Sequence, residues 1–284
     1  MESGLFAVTG ARGFTGRHVC QELRLQGYRV HEIESDIMEA DALKQELMLV
    51  APNYCLHLAG VAYTQHKGFQ GLYDSNLVGS INLLEALQLV SVESVLLASS
   101  GMLYAQTEDA KLNEYSLVSP VNHYSNSKLA MEYAAGLYRS SLPIIIARPF
   151  NYTGIYQSNK FVIPKIVEHF KDGSASLSVG NTEVYREFND VRDVAKIYIA
   201  LMTKVRSHGT PINICTGHGV GISDVIKICK DITDHEIEVS VDSRFVREGE
   251  PKRVVGDPAL LRSLIGYKPK FNIEMTLEWM LDAQ

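Results

Sequence analysis

The sequence predicts an α/β fold in which a doubly wound parallel sheet is followed by a smaller, less regular lobe. Three observations carry this prediction. Short apolar segments alternate with amphipathic segments between residues 5 and 147. A glycine-rich turn, at residues 9–16, directly follows the first apolar segment. After Pro149, glycine, proline and charged residues break the pattern repeatedly, which favours a lobe built from separate insertions.

The first half of the chain is a regular alternation of predicted strands and helices. Short apolar runs predict strands at 5–8, 28–33, 53–58, 94–98 and 142–147. Apolar residues at helical spacing predict helices at 17–27, 40–50, 69–90 and 124–139. Because β-α-β units join their strands by right-handed crossovers, this order predicts a parallel sheet with helices on both faces.

The second half predicts helices at 161–172, 191–205, 221–232 and 258–265, with short strands near 211–215 and 236–241. No linker is long enough to separate independent domains. We expect residues 1–155 plus about 187–215 to form the sheet domain. Residues 156–186 plus 216–284, with approximate bounds, would form the lobe that covers the carboxyl ends of the strands.

Composition excludes several classes of protein. The 284 residues are 46% hydrophobic, which is ordinary for a globular chain with a sizeable core. A net charge of −6 argues against a surface for nucleic acid or anionic membrane. No apolar run could span a bilayer, and the N-terminus lacks the pattern of a signal peptide, so we expect a cytoplasmic protein. The four cysteines are widely spaced without a CxxC pair, which predicts reduced thiols and no metal site.

The glycine-rich turn points to a dinucleotide. Gly10, Gly13 and Gly16 have a GxxGxxG spacing within TGARGFTG. Glycine permits a tight turn and a close approach of the backbone to a pyrophosphate. The helix that follows would present unpaired N–H groups and the positive end of its dipole to the phosphates. The position between a strand and a helix therefore predicts a Rossmann-type nucleotide site, whereas a glycine triplet alone would only indicate a tight turn.

The residues near the second strand leave the choice of dinucleotide open. A carboxylate at the end of that strand usually binds the ribose 2′-hydroxyl of NAD, whereas an arginine suits the 2′-phosphate of NADP. Glu34 is near the position for the first role, and Arg12, inside the glycine turn, suits the second. The balance favours NADP(H) over NAD(H), with the alternative that Arg12 is a solvated loop residue.

Tyr124 and Lys128 are four residues apart in YSNSK, so they share one face of the predicted helix. A tyrosine that exchanges a proton with a sugar oxygen is a poor base at its ordinary pKa of about 10. A nearby ammonium favours the phenolate and would lower the pKa of Tyr124. Lys128 could also hydrogen-bond the nicotinamide ribose. This spacing also occurs by chance, so the functional interpretation depends on its combination with the glycine turn.

Ser99 and Ser100 follow the strand predicted at 94–98, at the edge where open α/β sheets place their ligands. A hydroxyl at this edge can donate to a substrate carbonyl oxygen and stabilise developing negative charge. A cap of the strand end is the alternative role. No Ser-His-Asp order or nucleophile elbow is present, so we assign no covalent nucleophile. The residues themselves do not decide between the two serines.

Together these segments resemble the extended short-chain dehydrogenase/reductase family of NAD(P)-dependent nucleotide-sugar epimerases, dehydratases and reductases. The resemblance covers nearly the whole chain, through TGARGFTG at 9–16, HLAG at 57–60, RPFNYTG at 148–154 and REFNDVRDVAKIY at 186–198. INICTGHGVGI at 212–222 and REGEPKRVVGD at 247–257 resemble segments of GDP-4-keto-6-deoxy-mannose reductases. The segment after the second strand is shorter than is usual in the family, which bears on the adenosine pocket.

The resemblance implies a role for each matching residue. The implied catalytic residues are Ser100, Tyr124 and Lys128, in which Ser100 is chosen over Ser99 because it lies four residues before Tyr104. The cofactor-binding residues are expected to be Gly10, Arg12, Gly13, Phe14, Thr15, Gly16, Asp36, Ile37, Leu58, Ala59, Gly60, Asn76, Ala98, Tyr124, Lys128 and Pro149. The substrate-binding residues are expected to be Ser100, Met102, Asn151, Arg186, Arg247 and Glu250.

In this assignment Asn151 reaches a sugar diphosphate, and Arg186 and Arg247 provide two guanidinium groups for it. Either arginine could equally be a surface residue. The implied partners are a nucleotide-diphosphate sugar and a second copy of the chain, packed through the helices near 69–90 and 124–139.

Four functions compete on these residues. The first is a reductase that transfers hydride from NAD(P)H to the C4 ketone of a 4-keto-6-deoxy nucleotide-diphosphate sugar, with Tyr124 as general acid/base. The second is an NAD-dependent nucleotide-sugar 4-epimerase. A dehydratase is disfavoured because no carboxylate follows Gly101 and Met102 before Glu108. A non-catalytic dinucleotide sensor would normally lack Tyr124 or Lys128.

Overall fold

The computed structural model describes residues 4–61, 68–105, 111–245 and 252–283. The strands within these ranges are, in chain order, β1 (Leu5–Thr9), β2 (Arg29–Glu32), β3 (Tyr54–His57), β4 (Ser94–Ala98), β5 (Ile144–Pro149), β6 (Tyr152–Thr153), β7 (Ser176–Val179), β8 (Tyr185–Arg186), β9 (Asn189–Asp190), β10 (Ile212–Ile214), β11 (Val220–Gly221), β12 (Glu238–Val241) and β13 (Arg253–Val254).

Six parallel strands form the central sheet, in the order β2-β1-β3-β4-β5-β10. Val8 is opposite Glu32 in β2, and Thr9 is opposite His57 in β3. The direction in which strands are added reverses between β1 and β3. Ligands of open α/β sheets bind at such a switch point, beyond the carboxyl ends of the strands. The predicted doubly wound α/β fold is confirmed.

The helices are α1 (Phe14–Leu25), α2 (Ala40–Val50), α3 (Gln70–Tyr73), α4 (Gly79–Leu87), α5 (His123–Gly136), α6 (Val162–Lys171), α7 (Val191–Ala200), α8 (Ile222–Thr233), α9 (Ala259–Ile265) and α10 (Ile273–Asp282). The first helix begins three residues earlier than predicted, directly at the glycine turn. The single long helix predicted at 69–90 is wrong, because a π-helical turn at Asp74–Val78 separates α3 from α4. The sequence analysis did not predict α10.

Side chains that alternate along each central strand pack against helices on opposite faces of the sheet. Phe6 and Val8 belong to the core under α1 and α7, whereas Ala7 belongs to the core under α2, α4 and α5. Both cores consist of buried, mostly aliphatic side chains, as expected for a parallel sheet covered on both faces. This packing fixes the positions of the strand ends on which the site is built.

The lobe has a third core, in which α6, α8 and α10 pack against β7. The strand β7 pairs with β12, and β8 lies between β11 and β13. The domain boundaries given above stay a prediction. In the described ranges, no helix is long and apolar enough to cross a membrane.

Candidate active site

The glycine turn forms a cradle of bare backbone at the N-terminus of α1. Gly10 has φ +66°, and a Cβ there would lie 2.7 Å from the backbone nitrogen of Ala59. A Cβ on Gly16 would lie 2.6 Å from Cα of Ala11. Gly13 precedes α1 and offers no side-chain cap to its first N–H groups. The space and the unpaired N–H groups therefore fit a dinucleotide pyrophosphate.

Thr9, at the end of β1, ties the cradle to the next strand. Its hydroxyl accepts hydrogen bonds from the backbone N–H groups of Leu58 and Ala59, both at 3.1 Å. It also bonds His57 Nδ1 at 2.7 Å, and His57 Nε2 bonds the Ser80 hydroxyl at 2.8 Å. Burial, assisted by the charge of Lys128, lowers the pKa of His57 to about 3. The imidazole is therefore a neutral link between the two strand ends and α4.

Asn76 extends this network from the π-helical turn to α5. Its side chain is fully buried; Oδ1 accepts from the Val61 N–H at 3.0 Å, and Nδ2 donates to the Ser127 hydroxyl at 2.9 Å. A Cβ on Gly60 would lie 2.5 Å from Asn76 Oδ1 and 3.4 Å from Lys128 Nζ. The turn that contains Gly60 is thus held beside the lysine. Single π-helical turns inside helices occur frequently at functional sites.

Ser100, Tyr124 and Lys128 meet at the carboxyl ends of β4 and β5. A side-chain hydrogen bond joins Ser100 to Tyr124. Lys128 Nζ donates to the carbonyl of Ala98 at 2.8 Å. Asn122 caps the N-terminus of α5, where its side chain accepts from the Ser125 N–H at 2.9 Å, so the helix start that carries Tyr124 is well defined.

The two adjacent serines have different partners. Ser99 donates to the buried carboxylate of Glu132 at 2.5 Å, on the side of the sheet edge covered by α5. The Ser100 hydroxyl instead accepts from the Met102 N–H at 3.1 Å and bonds Tyr124. Because the hydroxyl of Ser99 is engaged elsewhere, the geometry supports Ser100 as the serine that faces a substrate.

The pKa of Tyr124 differs from the expectation, and burial also shifts the pKa of Lys128. Burial raises the pKa of Tyr124 to about 12, although the hydrogen bond from Ser100 opposes this shift. The predicted lowering of this pKa is therefore wrong for the chain by itself, because burial outweighs the hydrogen bond from Ser100. Burial lowers the pKa of Lys128 to about 8, and the carboxylate of Glu132 counteracts this. Lys128 is consequently still mostly an ammonium at pH 7 and loses its proton at a much lower pH than an ordinary lysine.

The residues predicted for the adenosine end of the site lie beyond β2. Arg12 Nη2 is 3.9 Å from the Glu34 carboxylate, and both side chains are largely exposed. The loop after β2 is attached to α2 by Glu46, whose carboxylate accepts hydrogen bonds from the N–H groups of Glu34 and Ser35, both at 2.9 Å. Asp36 accepts from the Met38 N–H at 3.0 Å. Both side chains suggested for the choice of dinucleotide thus lie next to each other.

Asp36 and Ile37, which follow β2, differ in their exposure to solvent. Ile37 is buried, and a Cβ on Gly79 would lie 2.6 Å from its Cδ1. Asn82 Nδ2 donates to the carbonyl of Ile37 at 2.9 Å, which joins the loop to α4. Asp36 remains exposed beside it. Only the carboxylate of this pair is therefore presented to solvent.

The segment at and after the end of β5 contains Pro149, which is predicted to lie beside the nicotinamide. Pro149 is buried at the end of that strand. The hydroxyls of Thr15 and Tyr152 bond each other at 2.8 Å, and Phe14 stacks on Tyr152 with ring centroids 5.7 Å apart. The glycine turn is thereby attached to the strand that leads into the lobe.

The predicted substrate-binding residues are only partly assembled in the described ranges. Met102 lies in the turn after Ser100, and Asn151 is exposed between β5 and β6. Arg186 lies on β8, where Nη1 donates to the Tyr185 carbonyl at 2.8 Å. Arg247 and Glu250 lie outside the described residues. Their place beside Asn151 and Arg186 stays a prediction.

Sequence reasoning missed the polar groups that support the site. Thr9 and His57 stand in the two quoted motifs, but only their pairing across 48 residues shows their role as a link. Glu132 and Arg148 form a buried ion pair with a 2.6 Å contact. The position of Glu132, one helical turn after Lys128, was the sequence feature from which this pair could have been suspected. Among the described residues, no group of three or more histidine, cysteine, aspartate or glutamate side chains could hold a metal ion.

The chain is similar to known proteins over most of its length. Residues 6–215 match the model of the NAD dependent epimerase/dehydratase family. The chain is 30% identical to a GDP-6-deoxy-D-talose 4-dehydrogenase from Aggregatibacter actinomycetemcomitans, over 96% of this chain and 95% of that protein. It is 32% identical to a GDP-6-deoxy-D-mannose reductase from Pseudomonas aeruginosa, with the same coverage.

A solved structure is similar over almost its whole length. The structure of RMD from Pseudomonas aeruginosa complexed with NADPH is 30% identical, with a TM-score of 0.90. The alignment covers 98% of this chain and 98% of that one. The likeness therefore includes the lobe as well as the sheet domain.

Proposed function

Because this chain belongs to the NAD-dependent epimerase/dehydratase family, we propose that it is an NAD(P)H-dependent reductase of nucleotide-diphosphate sugars. The substrate would be a 4-keto-6-deoxy sugar, and the ketone at C4 would accept the hydride. One observation carries the proposal: Ser100, Tyr124 and Lys128 converge beside a glycine cradle that fits a dinucleotide. The names of the two relatives described above support the substrate class.

The residues of this chain divide the work of the reaction. The bound dinucleotide supplies the hydride. Ser100 donates a hydrogen bond to the ketone oxygen, which stabilises the negative charge that develops as the carbonyl is reduced. Tyr124 gives its proton to the same oxygen, so the ketone becomes an alcohol. Lys128, as an ammonium next to Ala98, stabilises the phenolate that remains on Tyr124.

The surroundings of the site support proton transfer within a dry pocket. Ser100 and Lys128 are 5% and 7% exposed, and Lys128 touches the turn that contains Gly60. In such surroundings charge–charge and hydrogen-bond interactions are stronger than in water. A raised pKa of Tyr124 suits a group that acts as an acid, because it holds its proton until an alkoxide forms.

An assay with alternative sugars separates the reductase from the 4-epimerase. The purified chain is mixed with NADPH or NADH and a panel of 4-keto-6-deoxy nucleotide-diphosphate sugars. We expect loss of nicotinamide absorbance in proportion to alcohol formed. Interconversion of two sugar epimers without net use of cofactor would instead establish the epimerase. Binding of dinucleotide with no turnover of any sugar would favour the sensor.

We propose NADPH as the preferred cofactor, on the basis of Arg12. We expect Arg12→Ala to lower kcat/KM for NADPH about tenfold while the value for NADH changes less, because only NADPH carries the phosphate that Arg12 would bind. Glu34→Gln should raise kcat/KM for NADPH by removing a nearby negative charge. Arg24→Ala is the matched control, since Arg24 pairs with Glu32 at 2.8 Å on the same strand edge. Equal losses with both cofactors would contradict this assignment.

We also propose a homodimer in the cytoplasm, with the helices after β3 and at α5 in the interface. Large apolar side chains on these helices support this arrangement. Tyr133 and Leu137 of the α5 segment are 72% and 82% exposed, and Val78 beside α4 is 39% exposed. Arg247 and Glu250, together with Asn151 and Arg186, are proposed to bind the nucleotide-sugar.

A further inference from the structure

A buried ion pair lies directly behind the predicted catalytic residues. Glu132 is on α5, one helical turn after Lys128, and Arg148 immediately precedes Pro149 in β5. Arg148 Nε and Nη2 donate to the two carboxylate oxygens of Glu132 at 2.9 and 2.6 Å. The side chains of Arg148 and Glu132 are 6% and 7% exposed. Two fully formed charges are thus enclosed next to the site.

This pair connects the serine turn to the helix of the tyrosine and lysine. The hydroxyl of Ser99 donates to Glu132 Oε1 at 2.5 Å. Because Ser99 is held in this direction, the next residue, Ser100, is turned towards Tyr124. The Glu132 carboxylate therefore orients Ser100 by holding its neighbour Ser99. It also acts on Lys128 electrostatically.

Stability alone does not explain these groups. Burying an ion pair is often no better for stability than packing apolar side chains of the same volume. Arg148 Nη1 is buried without a hydrogen-bond partner among the described residues. The guanidinium also lies 4.9 Å from the Tyr104 ring, whose hydroxyl donates to Asn213 at 2.6 Å. A buried ion pair that also bonds the serine turn can instead hold neighbouring groups in place.

We propose that Glu132, held by Arg148, is a positioning residue that directs Ser100 through Ser99 and keeps Lys128 protonated at neutral pH. The inference rests on the proposed function, since it assigns a purpose to the charge of Lys128. It concerns an ion pair to which the reductase mechanism above gives no role.

The charges around Lys128 determine the sign of the effect. Glu132 acts on it from α5, His57 interacts with it from β3, and the Ala98 carbonyl accepts its hydrogen bond. His57 is neutral, so the carboxylate of Glu132 is the nearby charge that favours the ammonium. Burial alone lowers the pKa of Lys128, and removal of the carboxylate would lower it further. Activity that needs the ammonium would then be lost at lower pH.

The variant Glu132→Gln tests the effect on charge. We expect the fall of kcat on the alkaline side to move about one pH unit towards neutral, with little change in KM for the sugar. The matched control is Asp193→Asn, which removes another buried carboxylate, one that accepts from the Lys270 and Phe271 N–H groups in the lobe. It should leave the pH profile unchanged. A profile of Glu132→Gln that matches the wild type would overturn the proposal.

If Glu132→Gln alone does not fold, the double variant Glu132→Gln/Arg148→Met avoids an unpaired buried guanidinium and is measured in the same way. The variant Ser99→Ala tests orientation while the ion pair stays intact. We expect kcat to fall about tenfold without any shift of the pH profile, because Ser100 is then held less accurately. Ser94→Ala is its control, since Ser94 is also buried on β4 and donates to the Arg206 carbonyl at 2.6 Å. Equal kcat for the two serine variants would contradict the orientation role.

A direct titration of Lys128 separates this inference from the proposed function. The lysine Cε signals are followed by NMR against pH in the protein without cofactor, and the Lys128 signal is assigned by its absence in Lys128→Met. We expect Glu132→Gln to titrate at lower pH than the wild type. If no keto-sugar is reduced but this shift is observed, the reductase proposal fails and the effect on Lys128 stands. An unchanged titration overturns the inference even if the reductase is established.

Discussion

Replacement of Tyr124 by phenylalanine should reduce kcat by about 10²–10⁴-fold, the range typical of a lost general acid. The substitution removes the hydroxyl that donates the proton and leaves the ring that packs beside Ser100. The glycine cradle is untouched, so the dissociation constant for the dinucleotide should stay within about twofold of the wild-type value. Steady-state kinetics and quenching of protein fluorescence by the dinucleotide measure the two quantities.

Tyr115→Phe is the matched control, because Tyr115 is 86% exposed and lies outside α5. It should keep the wild-type kcat. Full activity of Tyr124→Phe would show that another group donates the proton. Loss of dinucleotide binding together with activity would show that Tyr124 acts in binding and would leave its role as an acid unsupported.

Replacement of Gly16 by alanine should raise the dissociation constant for the dinucleotide by about 5- to 140-fold, because the overpacking costs about 1–3 kcal/mol and displaces the phosphate cradle. The new Cβ would lie 2.6 Å from Cα of Ala11 and would also meet the carbonyl of Gly10. Both contacts are with backbone, so neither can be relieved by a change of rotamer. The start of α1 must therefore move away from β1. Isothermal titration calorimetry measures the binding, and urea unfolding measures the free energy of unfolding.

Gly136→Ala provides the comparison for the effect of a methyl group alone. A Cβ at Gly136 would meet no atom within 4 Å, and the residue ends α5. This variant should bind the dinucleotide normally and gain up to about 1 kcal/mol of stability, because alanine is a better helix former than glycine. If Gly16→Ala binds as tightly as Gly136→Ala, the close packing of the cradle is not required for binding.

The strands and helices that were predicted correctly are specified by residues close to each other in the sequence. The strands β1 and β4 are short apolar runs, and α5 has Tyr124 and Lys128 at helical spacing. Such patterns depend on residues within one or two turns of each other, which is why they can be read along the chain. The break at Asp74–Val78 was missed because the apolar spacing of 69–90 continues through it. What stabilises that π-helical turn is the buried Asn76, whose partners Val61 and Ser127 belong to other segments.

The sequence by itself determined the fold class, the glycine cradle and the placement of Tyr124 and Lys128 on one helix, because periodicity and spacing are properties of neighbouring residues. The tertiary structure decided which serine faces the tyrosine, since the competing hydroxyl of Ser99 is bound by Glu132, 33 residues away. It also decided the direction of the pKa of Tyr124, because burial depends on every segment packed around the ring. Contacts between residues far apart in the sequence determine both the choice of serine and the direction of the pKa shift. Such contacts cannot be predicted from the spacing of residues in one sequence.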